Sequence, residues 1–341
     1  MPGINPFLDN DAFNMVSLTK AINILPNRYG RINELNLMPG RGVTTRTIIV
    51  EEKNGVLTLL QTMPVGSPGQ EARQGKRKVR SFVIPHIPHD DVIMPEEYSG
   101  IRAFGSETEM QTLATLVNNK QQNMRNKHAI TLEHLRMGAL KGIILDADGS
   151  VLYNLYDQFE ISAKVINFAL TTDTTNVAAK CRELLRHMED NLKGEVMNGV
   201  RCLVSEDFFD ALIGHPNVEK FWLNHAKAQE LAGNAADPRK GFPFGGITWE
   251  EYRGKASNAA GDTMKFIADG RGHAFPTGTM NSFETLYAPA DFNETVNTIG
   301  LEIYSKMVER KFGRGMDLHT QSNPLPMCYR PACLVEVKKA A

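Results

Sequence analysis

Apolar residues recur at helical spacing over one unusually long stretch, Ser106 to Lys141. Met110, Leu113, Val117, Met124, Leu132, Leu135 and Ala139 form a narrow stripe, with Lys120, Arg125, Lys127 and Arg136 mixed among broad polar flanks. Ser106 with Glu109 makes a capping box, in which each end satisfies an orphan N–H of the other. No Pro or Gly follows until Gly138, and Gly142 is placed to close the helix as its C′ residue. The pattern predicts one helix over 106–141, roughly 50 Å long. A rod buried along one side serves better as a strut than as the wall of an active site.

Before it, the chain reads as strands. Val43 to Val50 is β-branched almost throughout, Asn54-Gly55 is a strong hairpin signal, and Val56 to Leu60 returns. A loop rich in Gly, Pro and Gln follows from Pro64 to Gly75, and Lys76 to Ile84 resumes as a strand. Such a two-stranded excursion is marginal by itself in water, so it is expected to rest on another subunit. Residues 1–40 read as an arm punctuated by Pro2, Pro6, Pro26 and Pro39, with a short helix over Asp11 to Leu25. An arm of this kind either gains its order on a neighbouring chain or stays mobile.

After the long helix, Ile143-Ile144-Leu145, the turn Asp146 to Ser150, and Val151 to Tyr156 predict a hairpin, with a further strand over Val165 to Phe168. Residues 174–275 read as a separate α/β unit. Its helices are Thr175 to Leu192, Glu206 to Ile213 and Val218 to Leu231, and its strands are Gly199 to Val204 and Ile247 to Tyr252. Val296 to Tyr304 and Leu334 to Val337 are expected as strands near the end of the chain. Strands on both sides of a middle α/β unit predict an α+β protein with a discontinuous domain and an insertion.

Composition narrows the function classes. The chain has 341 residues, 23% charged and 42% hydrophobic, with a formal net charge of −1, so it is not a polyanion binder as a whole. No run of 18 apolar residues is present to span a bilayer, and the N-terminus lacks the pattern of a signal peptide. Four cysteines, Cys181, Cys202, Cys328 and Cys333, suit a reduced intracellular protein, and the Cys328/Cys333 pair has no partner ligands for zinc.

Two stretches carry candidate chemistry. Arg73, Lys76, Arg77, Lys78 and Arg80 stand against only Glu71, a local balance of +4. They suit phosphate contact in a DNA-binding module, an acidic patch on a neighbour, or a solvated edge that blocks strand pairing. No aromatics interleave with these charges, so stacking on single strands is unsupported. In Ile84-Pro85-His86-Ile87-Pro88-His89-Asp90-Asp91, a hydrolase would use His86, His89 and Asp90. The prolines hold this piece extended, so alternate side chains face apart, which argues against a shared metal. Asp146-Ala147-Asp148-Gly149 lacks the later ligands of a calcium loop. Gly245-Gly246 and Gly270-Arg271-Gly272 match no phosphate-loop pattern and read as turns. No catalytic, metal-binding or cofactor-binding residue and no cofactor is expected.

The order of parts then becomes distinctive. The carrying residues are Ile84 to Asp91 ahead of Gly100-Ile101-Arg102-Ala103-Phe104-Gly105, and Gly138-Ala139-Leu140-Lys141-Gly142 at the end of the helix. With them go Phe244-Gly245-Gly246-Ile247 through Tyr252 and Gly254, and Gln321-Ser322-Asn323-Pro324-Leu325-Pro326 near the C-terminus. In this order, over nearly the whole chain, they resemble the major capsid proteins of tailed bacteriophages, more narrowly the lambda-type family called major capsid protein E. The resemblance implies an HK97-like capsid fold. Residues 1–42 would be the N-terminal arm and 43–83 the extended loop. Residues 84–173 and 276–341 would make a peripheral domain with its spine helix over 106–141, and 174–275 an inserted axial domain. It implies a homo-oligomer of hexamers and pentamers in an icosahedral shell around packaged double-stranded DNA. Scaffold, portal and decoration proteins would be the partners, and the chain would be a virion component assembled in the host cytoplasm. Some relatives in the wider fold cross-link subunits through a Lys–Asn isopeptide. Lys53 and Lys76 lie in the loop here, and no matching Asn is identifiable.

Overall fold

The computed structural model describes residues 15–24, 30–53, 77–99, 109–231, 237, 239–257 and 261–340. The chain divides into two compact units, and each draws on segments far apart in sequence. One gathers Met1–Ile48, Val83–Arg136 and Glu284–Met327; the other gathers Ile49–Phe82, Met137–Phe283 and Cys328–Ala341.

In the first unit a three-stranded antiparallel sheet runs in the order Tyr304–Glu309, Met316–Ser322, Ile87–Ile93. Its register sets His89 opposite Thr320 and Asp90 opposite His319. A second small sheet places Gly40–Gly42 parallel to Phe283–Tyr287, which neighbours Pro324–Cys328. The long helix is present as Glu109–Lys141. The Ser106 end of the expected capping box lies outside the described residues. Val117 packs with Leu18, Ile93 and Met316 in one apolar cluster.

The buried stripe of this helix is more polar than periodicity alone predicts. Gln121, Arg125, His128, Glu133 and Arg136 are all buried. Buried polar groups need partners, and here most come from distant sequence. Gln121 Nε2 donates to Ser305 Oγ at 3.2 Å, and Arg125 Nη1 donates to the Ile22 carbonyl at 2.8 Å. Ile32 N donates to Glu133 Oε1 at 3.0 Å, and Arg136 Nη1 donates to Asn33 Oδ1 at 2.9 Å. Through these bonds the helix holds the N-terminal segment of its own chain. Leu18, Ile22, Ile32 and Met38 are buried, so the described part of the expected arm finds burial within its own unit rather than on a neighbour.

The second unit is built on a six-stranded mixed sheet. Its order is Lys164–Asn167, Val335–Lys338, Arg271–Thr277, Gly199–Val204, Ile247–Glu251, Lys240–Phe244. Helices Val177–Asn191 and Glu206–Ile213 start on side-chain caps: Asn176 accepts from Ala179 N and Ser205 from Phe208 N. Phe168, Phe208 and Trp249 meet edge-on or stacked at 5.4–5.9 Å in the core. The C-terminal strand Val335–Lys338 lies in this sheet between Lys164–Asn167 and Arg271–Thr277, so segments far apart in sequence share it.

Some local expectations are corrected. Val151 to Tyr156 does not continue as a strand: the strand ends at Asn154, whose side chain accepts from Tyr156 N and opens a helix, Leu155–Phe159. Val296 to Tyr304 is not a strand either. A 3-10 turn occupies Asn293–Thr295, Asn297 sits at φ 59°, and the strand begins only at Tyr304. Val43 is bonded to Tyr287 as an end of the Gly40–Gly42 pairing, and the ribbon strand starts at Thr47. The Asn54-Gly55 turn and the strand expected over Val56 to Leu60 lie outside the described residues.

Candidate functional site

The extended strand Ile87–Ile93 separates the side chains proposed for catalysis. His89 lies beside the long helix, its ring 6.2 Å from that of His128, and Lys127 Nζ donates to His89 Nε2 at 3.1 Å. Thr320 Oγ1 donates to the His89 carbonyl at 3.1 Å, so the 3.0 Å contact between His128 Nε2 and the same hydroxyl has the imidazole donating. Burial pushes His128 down to about 4, and the nearby charges of His89, His319 and Arg125 add to the effect. Asp90 pairs instead with His319 Nδ1, and His86 bonds Asn323 at 2.8 Å with Asp291 at 3.9 Å. Thus His86, His89 and Asp90 go to three different sets of partners and do not converge on a reacting atom. A small cavity lined by Arg125, His128, Leu132, Glu302 and Ser322 lies nearby, with a volume of about 10 Å³, room for no more than a water molecule. It is smaller than the roughly 300–1,000 Å³ usual for small-molecule sites.

The basic run is also dispersed. Arg73, Lys76 and the side chain of Arg77 lie outside the described residues. Lys78 pairs with Glu160. Arg80 is buried, donates to the Gln158 carbonyl and lies 4.7 Å over the Phe159 ring. Two of the five cations are therefore used within the chain. Cys328 and Cys333 lie within hydrogen-bonding reach of one another; Cys333 Sγ donates to the Arg330 carbonyl at 2.9 Å, and burial pushes the Cys328 thiol up.

What these contacts do build is a two-faced ribbon from Thr47–Lys53 and Arg77–Val83. Along the second strand Arg80 and Phe82 are buried while Val79, Ser81 and Val83 are exposed. Phe82 packs edge-on to Tyr153 at 5.3 Å and stacks on Phe159 at 6.4 Å. The other side is bare: Val79 is 61% exposed, and Ile49 on the facing strand is 64% exposed. Apolar side chains therefore stand in water along this side of the ribbon. Attention to net charge obscured it in the sequence. The alternation of Val79, Ser81 and Val83 with Arg80 and Phe82 was the signal for two faces.

The family described as phage major capsid protein E matches residues 14–339. The chain is 31% identical to the major capsid protein of Salmonella phage Felix O1 over 98% of both chains. Among solved structures it is similar to a capsid-protein candidate of an E. coli CFT073 prophage. That likeness has a TM-score of 0.61 and 15% identity, and covers 96% of this chain and 99% of the other. It is also similar to the mature capsid subunit of bacteriophage PhiM1, with a TM-score of 0.51 and 12% identity over 92% and 88%. The mixed helix-and-sheet architecture is thus HK97-like, and the hydrolase and DNA-binding readings find no support. The chain belongs to the phage major capsid protein E family: it is a structural subunit of a phage capsid shell, not an enzyme.

Proposed function

We propose that many copies of this chain form, as hexamers and pentamers, an icosahedral head shell that encloses packaged double-stranded DNA. Residues 43–83 act as an extended loop laid over a neighbouring subunit, and 1–42 as the arm that leads into it. Residues 84–173 and 276–341 serve as the peripheral domain, and 174–275 as the axial domain near the capsomer centre. Scaffold, portal and decoration proteins are the expected partners, DNA is touched without sequence preference, and assembly takes place in the host cytoplasm.

The observation that carries this reading is the bare side of the ribbon at Ile49 and Val79. A two-stranded ribbon gains little stability alone, and among the described residues this one is packed on one face only. Contacts repeated around a ring supply the other face, and a subunit that meets several neighbours at once gains by multivalency. A net charge of −1 limits adhesion of the shell wall to DNA.

Deletion of Thr47 to Arg77 tests it. The shortened chain should stay soluble and folded, with its far-ultraviolet circular dichroism retained, and electron microscopy should reveal no closed particles. Normal particles from the deletion would contradict the role given to the loop.

A further inference from the structure

At the tip of the hairpin formed by Tyr304–Glu309 and Met316–Ser322, a phenylalanine stands almost wholly in water. Phe312 is 90% exposed. Its backbone is left-handed, at φ 66° and ψ 20°. That region suits glycine and is unfavourable for a bulky L residue. Two glycines in the same turn, Gly313 and Gly315, also have positive φ, and a glycine at 312 would meet the geometry without strain. The turn itself is well defined: Arg310 N donates to Gly315 O at 3.0 Å, and Gly313 N to Arg310 O at 3.1 Å. Within the chain the ring gains the Arg314 guanidinium, 5.6 Å from its centroid, and little burial. Among the described residues the strain has no return beyond that contact.

The surroundings say what would supply one. Arg310, Lys311 and Arg314 crowd the tip, with Arg310 Nε held by Asp317 at 3.0 Å. Duplex DNA would satisfy the cations, but its base faces are already stacked and would leave the ring wet. A protein pocket with an apolar floor and an acidic rim satisfies both. In a shell the molecule that lies against every subunit is another copy of it.

We propose that Phe312 is an anchor that inserts into an apolar, acid-rimmed pocket on a second copy of this chain. This rests on the shell reading above. The contact is heterologous, tip into pocket, so it can repeat around a ring.

Two experiments on the full chain test it. In the first, Phe312→p-benzoylphenylalanine particles are irradiated. The expected product is a chain–chain cross-link, mapped by mass spectrometry to a peptide with apolar and acidic residues. Cross-links only to DNA or only within one chain, or none at all, would overturn the proposal. In the second, Phe312→Gly should lower particle yield roughly ten- to hundredfold, the equivalent of one buried aromatic, while the melting temperature of the free subunit holds or rises as strain is relieved. A residue needed only for folding would instead lower that temperature, which overturns the anchor. Equal particle yields would remove the anchor and leave the shell reading intact. Failure of the unsubstituted chain to give particles would remove the shell reading and the anchor with it.

Discussion

His128 couples the stability of the first unit to acidity. Its imidazole is buried, and the charges that act on it are those of His89 on one strand, His319 on the next and Arg125 on its own helix. Folded, it titrates at about 4, against 6.5 for the ordinary side chain. Between those values the unfolded chain binds a proton that the folded chain refuses, so stability is present above pH 6.5 and lost as the pH falls toward 4. His128→Gln keeps a donor for Thr320 Oγ1 and removes the titration. From pH 7 to pH 4 the wild type should lose up to about 3 kcal/mol more stability than this variant. At pH 7 the two should differ by about 1 kcal/mol or less. Urea unfolding at a series of pH values measures the difference directly. His273, buried and pushed down to about 3, adds acid sensitivity to both proteins and cancels in the comparison.

At the scale of elements, the end of the long helix is the sharpest case. Gly142 has φ 77°, and its N–H donates to Ala139 O at 3.2 Å, closing the last turn. A Cβ there would lie 2.4 Å from the Tyr156 ring. Gly142→Ala therefore meets both backbone strain and a ring that must shift, and should cost at least about 1 kcal/mol. A lowered denaturation midpoint with unchanged m-value would register it. This terminus was legible because helix period and C′ glycine are local signals. The capped strands and helices of 199–213 were legible for the same reason. The burial of Arg125 and Arg136, which read as polar flanks, and of His128 was not. Their burial depends on the Ile22 carbonyl, Thr320 Oγ1 and Asn33 Oδ1, which lie 103, 192 and 103 residues away in sequence. No window along the chain contains that information. The helix at Leu155–Phe159 was missed for a subtler reason: Asn154 can end a strand or cap a helix, and burial of Leu155, Tyr156 and Phe159 decides for the helix.

At the scale of the whole molecule, function lies in what each subunit leaves uncovered. The His86/His89/Asp90 reading failed because an extended strand sends neighbours to opposite faces, and the basic-run reading weakened because Lys78 and Arg80 are spent on Glu160 and Gln158. The bare side of the ribbon was only half legible. The sequence implied that the excursion lacked burial, but which residues stay exposed depends on Phe82 finding Tyr153 and Phe159. That division of faces can be tested without removing the loop. In the double variant Ile49→Glu with Val79→Glu, both new carboxylates stand where side chains are already 64% and 61% exposed. The isolated subunit should therefore keep its stability within about 0.5 kcal/mol per site. Against a neighbour, the same carboxylates would have to be desolvated without partners, at several kcal/mol each. Because every copy carries the change, that cost recurs at each contact. Subunits of native stability that no longer close into shells, by sedimentation and electron microscopy, are the expected result. Intact shells from this variant would mean that the ribbon faces solvent in the particle, and the surface that holds copies together would have to be sought elsewhere on the subunit.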